Sequence, residues 1–329
     1  MTAIAATVQM FFTERLIRER GASPATITAY RDTIRLLLNH AAAATGTPVA
    51  ALDFTQLDAQ MISGFLQHLE SGRGNSIRTR NARLAAIRSL FTYAARRHPE
   101  HAGDIARVLA IGPKRASCAT VTYLADPELT ALIAACGQGT VTGRRDRVMI
   151  HLAAQTGLRA AELLTLRTPD LHLDHGAHVS CRGKGRKQRI TPLTPDTVQI
   201  LSGWLPGRTA PDSATLFTTS RGTPLSRDAF AGRLTLHAAA AATSCPSLAS
   251  KNITPHVLRH TAAMRLLHAG VDIAVIALWL GHESLTTTAI YLRADLETKE
   301  RAIARTAPIG TPPGRFQPGD ALLAFLDSL

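Results

Sequence analysis

Six polar side chains between positions 159 and 291, namely Arg159, Lys184, His256, Arg259, His282 and Tyr291, carry the parts needed to move a phosphoryl group. That chemistry asks for a nucleophile, for donors that neutralise charge gathering on the non-bridging oxygens, and for a proton on the departing oxygen. Arg159 and Arg259 suit the second role, because a guanidinium offers a planar fork that grips two phosphate oxygens, which a lysine ammonium does not. Tyr291 suits the first. With an ordinary phenol pKa of about 10, it needs nearby positive charge or a base to lose its proton during attack, and His256 is the candidate helper.

The local sequence says how two of these groups are held. Thr254-Pro255 reads as an N-cap followed by proline in the first helical turn, which sets His256 near a helix N-terminus with Arg259 three residues on along the same face. The positive end of that helix favours an anion there. Lys184 lies in Arg182-Gly183-Lys184-Gly185-Arg186-Lys187-Gln188-Arg189, between the strand-like stretches His178 to Cys181 and Ile190 to Leu193. This predicts a β-hairpin with a basic, glycine-permitted tip, in which Arg186, Lys187 and Arg189 are also expected to touch phosphates of a nucleic-acid-like polyanion. Glu162 is given a structural or orienting part.

Taken singly, each residue has a plainer reading: a packed tyrosine, a helix-end ion pair at Arg159, a turn histidine at His282, a solvated basic loop. Two other motifs fail on their own terms. His256 and His260 stand at i, i+4, a zinc spacing, but the residues between are Val257, Leu258 and Arg259, and a cation beside a divalent metal is unfavourable. His260 is therefore read as packing or capping, and no metal site is expected. Gly183-Lys184 is followed by Gly185 rather than Ser or Thr, and His178 stands where a phosphate loop needs its first glycine.

The order and context of the six residues go further than any one of them. The segments Thr156-Gly157-Leu158-Arg159-Ala160-Ala161-Glu162-Leu163, Pro255-His256-Val257-Leu258-Arg259-His260-Thr261, Leu280-Gly281-His282-Glu283 and Thr287-Thr288-Ala289-Ile290-Tyr291 resemble the tyrosine recombinase, or phage integrase, family, which includes lambda integrase and the Xer recombinases. The resemblance implies that Tyr291 attacks a DNA phosphodiester to form a 3′-phosphotyrosyl link, that Lys184 protonates the departing 5′ oxygen, and that no cofactor is used. It implies double-stranded DNA as partner, and a homotetramer on two DNA sites or an assembly with a related recombinase. Integration or transposition of a mobile element is the first expectation for its role, and Xer-like resolution of replicon dimers the second. A type IB topoisomerase-like relaxase and a non-catalytic DNA-binding regulator on the same scaffold are the alternatives. Glu283 after His282, and Leu292-Arg293 after Tyr291, depart from the usual pattern.

Composition and organisation agree with that reading. The 329 residues carry a formal net charge of +13 and 45% apolar residues, as expected of a globular chain with a polyanionic partner. No apolar run approaches the roughly 20 residues of a spanning helix, no secretory signal pattern opens the chain, and Cys118, Cys136, Cys181 and Cys245 are scattered, so a cytoplasmic protein with reduced thiols and no membrane partner is expected. The expected fold is mainly α with a small β-sheet, in two domains. Residues 1–110 form a helical, SAM-like core-binding domain, with helices starting at Ser23-Pro24 and at Thr55. A third helical stretch follows the break Ser71 to Asn75 and offers Arg78, Arg80, Arg83 and Arg88 as DNA contacts. Residues 111–124 form a linker, 125–307 a mixed α/β catalytic domain entered at Asp126-Pro127-Glu128, and the two domains are expected to close around a duplex. A tail over 308–329, apolar at Leu322, Leu323, Phe325, Leu326 and Leu329, is expected to dock on a neighbouring protomer.

Overall fold

The structure is a computed structural model that describes residues 3–115, 121–182, 188–208 and 214–294. Lys184, Arg186 and Lys187, and the whole 308–329 segment, lie outside the described residues. The chain divides into two compact units, Met1–Cys118 and Ala119–Leu329.

The first unit is helical. Helix α1 (Ala3–Met10) runs into a π-helical stretch, Phe11–Glu19, and is followed by α2 (Pro24–Thr45), α3 (Ala59–Ser71), α4 (Ile77–Ala94) and α5 (Ala102–Ala110). Ser23 caps α2 by accepting the Thr26 N–H at 3.3 Å, with Pro24 already in helical geometry, as the sequence predicts. Helix α3 starts later than Thr55 suggests. Asp53 and Gln56 close a 3₁₀ turn over Phe54–Gln56, and it is the Asp58 carboxylate that takes the Met61 N–H at 2.7 Å. Leu37, Phe54, Phe65, Leu84, Ile87 and Phe91 fill the main core, each buried side chain of this size contributing roughly 1.5–3 kcal/mol of transfer free energy.

The second unit holds α6 (Asp126–Ala134), α7 (Val141–Thr156), α8 (Ala160–Thr165), strands β1 (Leu171–His172), β2 (His178–Arg182) and β3 (Gln188–Pro192), then α9 (Pro195–Trp204), α10 (Arg227–Ala241), α11 (Pro255–His268), α12 (Ile273–Leu280) and α13 (Leu285–Ala294). The strands form one antiparallel sheet in the order β1-β2-β3, with Cys181 opposite Arg189 and Arg182 opposite Gln188. Helices α7 and α11 pack together through the unit. Their buried faces, Val148, Met149 and Leu152 on one and Leu258, Ala262 and Ala263 on the other, set the distance between the two arginine-bearing segments. Among the described residues no helix is long and apolar enough to cross a membrane.

Candidate active site

The site begins where α7 must stop. Gly157 adopts φ +64°, and its N–H returns to the Ala153 carbonyl at 2.9 Å, a left-handed C-cap. A Cβ there would lie 2.5 Å from Leu280 Cδ2 and 3.2 Å from Ala262 Cβ, so position 157 is closed to any side chain. The chain turns sharply and Arg159 becomes the N-cap residue of α8. Glu162 accepts the Arg159 backbone N–H at 2.8 Å and its Nη1 at 2.9 Å. The Arg159 Nη2 donates to the Gly281 carbonyl at 3.1 Å, and its side chain stays 37% exposed, with an edge free for an incoming anion.

Arg259 is brought to the same place from α11. Thr254 caps that helix through the Val257 N–H, with Pro255 at its first position, as the sequence predicts. Its Nη1 donates to the Gly157 carbonyl at 2.6 Å and its Nη2 to the Leu280 carbonyl at 2.7 Å. The consecutive carbonyls of Leu280 and Gly281, at the C-terminal end of α12, thus hold two guanidiniums side by side at the negative end of a helix dipole. The residue is only 5% exposed. Burial first, and then the neighbouring Arg159, pull its pKa down to about 10, so it remains protonated at neutral pH. His256, in the first turn of α11, is exposed.

Gly281 ends α12 at φ +65°, and a Cβ on it would meet Arg189 Nη1 at 2.9 Å. The His282 side chain follows, its Nδ1 2.8 Å from Thr288 Oγ1 on α13. Burial, then Arg259, Arg159 and Arg189, lower its pKa to about 4, so its imidazole is neutral at pH 7. Tyr291 is 1% exposed on α13, and its hydroxyl lies 3.0 Å from His260 Nδ1. Burial raises the phenol pKa, with Arg259 pulling the other way.

Several expectations change here. The hydrogen-bonding partner of the Tyr291 hydroxyl is His260, which the sequence assigns to packing, rather than His256. The signal was present in the i, i+4 spacing, which puts His260 one turn further along the face that carries His256. Arg189 does not face outward: its Nη1 and Nη2 grip Glu162 at 2.9 and 2.8 Å, and Glu162 is buried. Burial would raise the Glu162 carboxyl, but the bonds from Arg189 and from the Arg159 backbone outweigh it and hold the pKa below the usual carboxylate value. In the first unit Arg78 and Arg88 are exposed on α4, whereas Arg80 is 6% exposed, with Nη1 on the Gly112 carbonyl at 3.2 Å and Nε 3.5 Å from Glu70. Arg83 is half-buried with its Nε enclosed. Arg80 and Arg189 are thus committed to carboxylates inside the protein rather than presented to a partner.

The sequence and the fold are similar to those of known proteins. Residues 122–298 match the Phage integrase family, and residues 11–98 match the N-terminal SAM-like domain of phage integrases. The chain therefore belongs to the phage integrase family of tyrosine recombinases, enzymes that cleave and rejoin DNA in site-specific recombination. A Sinorhizobium fredii protein whose provisional name is integrase/recombinase y4rC is 47% identical over 327 residues, 99% of this chain and 98% of the relative. Tyrosine recombinase XerC of Pelobacter propionicus is 33% identical over 292 residues, 87% of this chain and 90% of the relative. In fold, the chain is similar to the XerH site-specific recombinase bound to a palindromic difH substrate, with a TM-score of 0.67 at 23% identity, covering 87% of this chain and 81% of that one. It is equally similar to the Tn1549 transposon integrase in complex with transposon right end DNA, with a TM-score of 0.67 at 17% identity, covering 92% and 99%.

Proposed function

We propose that Tyr291 is the nucleophile that cleaves a DNA phosphodiester, and that Arg159 and Arg259 clamp the scissile phosphate. The observation that carries this is the convergence of the two guanidiniums on the adjacent carbonyls of Leu280 and Gly281, with Tyr291 on the very next helix. A phosphate arriving there meets two fixed forks of donors whose like charges already disfavour each other, so an anion is stabilised more than a neutral ligand. The Tyr291 oxygen bonds to phosphorus, the bond to the 5′ oxygen breaks, and a 3′-phosphotyrosyl link remains. A 5′ hydroxyl from a second strand then reverses the step. Because the phosphodiester energy is kept in the covalent link, the exchange closes without a nucleotide cofactor.

Lys184 is the proposed donor to the departing 5′ oxygen. His256, exposed at the N-terminal end of α11, and His282 are the proposed further contacts to the phosphate. Arg78 and Arg88 on α4 are the proposed contacts of the first unit to the backbone of duplex DNA. Strand exchange between two duplexes calls for four protomers, either identical or shared with a related recombinase.

For its role, we favour integration or transposition of a mobile element. The relative covering almost the whole chain at 47% identity, carrying an integrase/recombinase name, supports this reading. Xer-like resolution of replicon dimers is the second reading, supported by the 33% identity to a XerC recombinase. The test is recovery of covalently attached DNA from the native host, comparing wild type with Tyr291→Phe and sequencing the attached ends. Adducts only in the wild type, clustered at the ends of a mobile element, are the expected result. Clustering at one chromosomal resolution site would favour the second role. No adduct from either chain would leave a DNA-binding regulator or an enzyme that awaits a partner recombinase, while relaxed DNA without recombinant joints in a two-site assay would point to a relaxase.

A further inference from the structure

A buried tyrosine hydroxyl must find a partner inside the protein, and Tyr291 finds His260. The oxygen lies 3.0 Å from Nδ1, and the two rings meet edge to face with centroids 5.6 Å apart, so the contact is built by packing as well as by the hydrogen bond. His260 sits on α11 directly after Arg259, on the helix that delivers the proposed phosphate clamp. We propose that His260 is the group that receives the Tyr291 hydroxyl proton as the phenol oxygen attacks the phosphodiester, an inference that rests on Tyr291 being the nucleophile.

The direction of the hydrogen bond depends on the charge and the tautomer of the imidazole, and the surrounding groups set the charge. A phenol donates its proton to Nδ1 only when that nitrogen carries a lone pair. The groups facing His260 are His256 one turn earlier on α11, at 6.5 Å between ring centroids, Arg259 beside it, His282 ahead of α13, and Tyr291 itself. Burial disfavours a charged imidazole here, and His256 and Arg259 act in the same direction, so the ring is held neutral with its pKa at about 4. In the neutral tautomer that carries its proton on Nε2, Nδ1 accepts from the Tyr291 hydroxyl, and this is the tautomer the proposal requires. A base this weak does not ionise the phenol at rest. It acts once a phosphate anion has offset Arg159 and Arg259, and once the forming bond to phosphorus has made the phenolic proton strongly acidic. His256, by contrast, is exposed at the helix start, where an imidazole addresses the phosphate rather than the tyrosine.

The step balances. The Tyr291 oxygen bonds to phosphorus and its proton passes to His260 Nδ1, giving an imidazolium. The bond from phosphorus to the 5′ oxygen breaks, its electron pair stays on that oxygen, and the proposed acid Lys184 protonates it. Rejoining runs each transfer backwards, with the imidazolium returning its proton to the departing phenol oxygen.

The test uses the full chain and a nicked duplex carrying the sequence recovered from wild-type adducts, with single-turnover adduct formation followed from pH 5.5 to 9. His260→Asn keeps an acceptor near the Nδ1 position but does not take up a proton, whereas His260→Phe keeps the ring and loses both. The expected result is adduct formation about 100-fold slower in His260→Asn, at unchanged duplex affinity. Its remaining rate should climb with pH as hydroxide substitutes for the missing base, while the wild type levels off. A His260→Asn rate within threefold of wild type, with the same pH profile, would overturn the proposal. So would equal, pH-independent losses in both variants, which would mean packing alone. If His260→Phe melts early, His260→Asn alone decides. Absence of any Tyr291-dependent adduct in the wild type is a different failure, that of Tyr291 as nucleophile, and the proton transfer falls with it.

Discussion

Alanine at Gly157 should damage this protein far more than alanine at Gly176, although both glycines have nearly the same backbone. Their φ values are +64° and +73°. An L-residue in that region costs about 1–2 kcal/mol, partly offset by about 0.4–1 kcal/mol from a stiffer unfolded chain. At Gly176, in the turn between β1 and β2, an added Cβ meets nothing within 4 Å, so the net cost should be about 1 kcal/mol or less. At Gly157 the same Cβ meets Leu280 Cδ2 at 2.5 Å and Ala262 Cβ at 3.2 Å, where overpacking adds about 1–3 kcal/mol. The total of about 2–4 kcal/mol corresponds to a melting shift of roughly 4–16 °C in a unit of this size. Thermal melts of the full chain, with each variant beside wild type, measure the difference directly. The Gly157 carbonyl also accepts from Arg259, so cleavage should fall even at temperatures where the variant remains folded. Equal melting shifts for the two variants would refute the packing contribution, and with it the close approach of α7, α11 and α12.

A second stability prediction concerns Asp146, which is 0% exposed between Arg145, Arg233 and His237. Asp146→Asn leaves the buried Arg145 guanidinium without its counter-charge and should lower the urea-unfolding free energy by about 3–5 kcal/mol. Acid should destabilise the protein in two stages. His260 and His282 have folded pKa values of about 4 against an ordinary 6.5, so their contribution is complete above 6.5 and is lost as pH falls towards 4. Asp146 and Glu162 are held below the usual carboxylate value, so theirs is lost only as pH falls from about 4 through their lower folded values. A urea midpoint that stays constant from pH 7 to 4.5 would contradict the neutral imidazoles, and His260→Asn combined with His282→Asn should reduce that upper stage, leaving the part due to His40 and His151, whose pKa values burial also lowers. On α4, Arg80→Ala should lower the stability of the first unit. Arg78→Ala and Arg88→Ala should instead leave stability alone, weaken duplex binding, and each reduce its log-log salt slope by about 1. Filter binding at several salt concentrations, with a melt on each variant, separates the two behaviours.

What could be read without the fold was local chemistry. Ser23-Pro24 and Thr254-Pro255 announce their helices because a cap and a first-turn proline act over three residues, and the structure has both caps in place. The order of Arg159, Arg259, His282 and Tyr291 was legible for a similar reason, since short motifs around each residue carried the family resemblance. Thr55 misled because Asp58 competes for the same helix start, and a carboxylate accepting the Met61 N–H settles the matter in three dimensions.

Tertiary structure alone decided which charged groups look inward. Arg80 and Arg189 resemble Arg78 and Arg88 in sequence, yet their partners Glu70 and Glu162 come from other segments of the chain. No spacing rule joins Asp146 to Arg233 and His237, 87 and 91 residues away. The choice of His260 over His256 beside Tyr291 belongs here too, because it depends on where α13 lies across α11. The sequence by itself determined which groups of this protein are able to act on a phosphate and how their helices begin. Which of them share one carbonyl pair, one carboxylate or one hydroxyl was left to packing, because those bonds join segments that meet only when the apolar faces of α7, α11 and α12 are buried together.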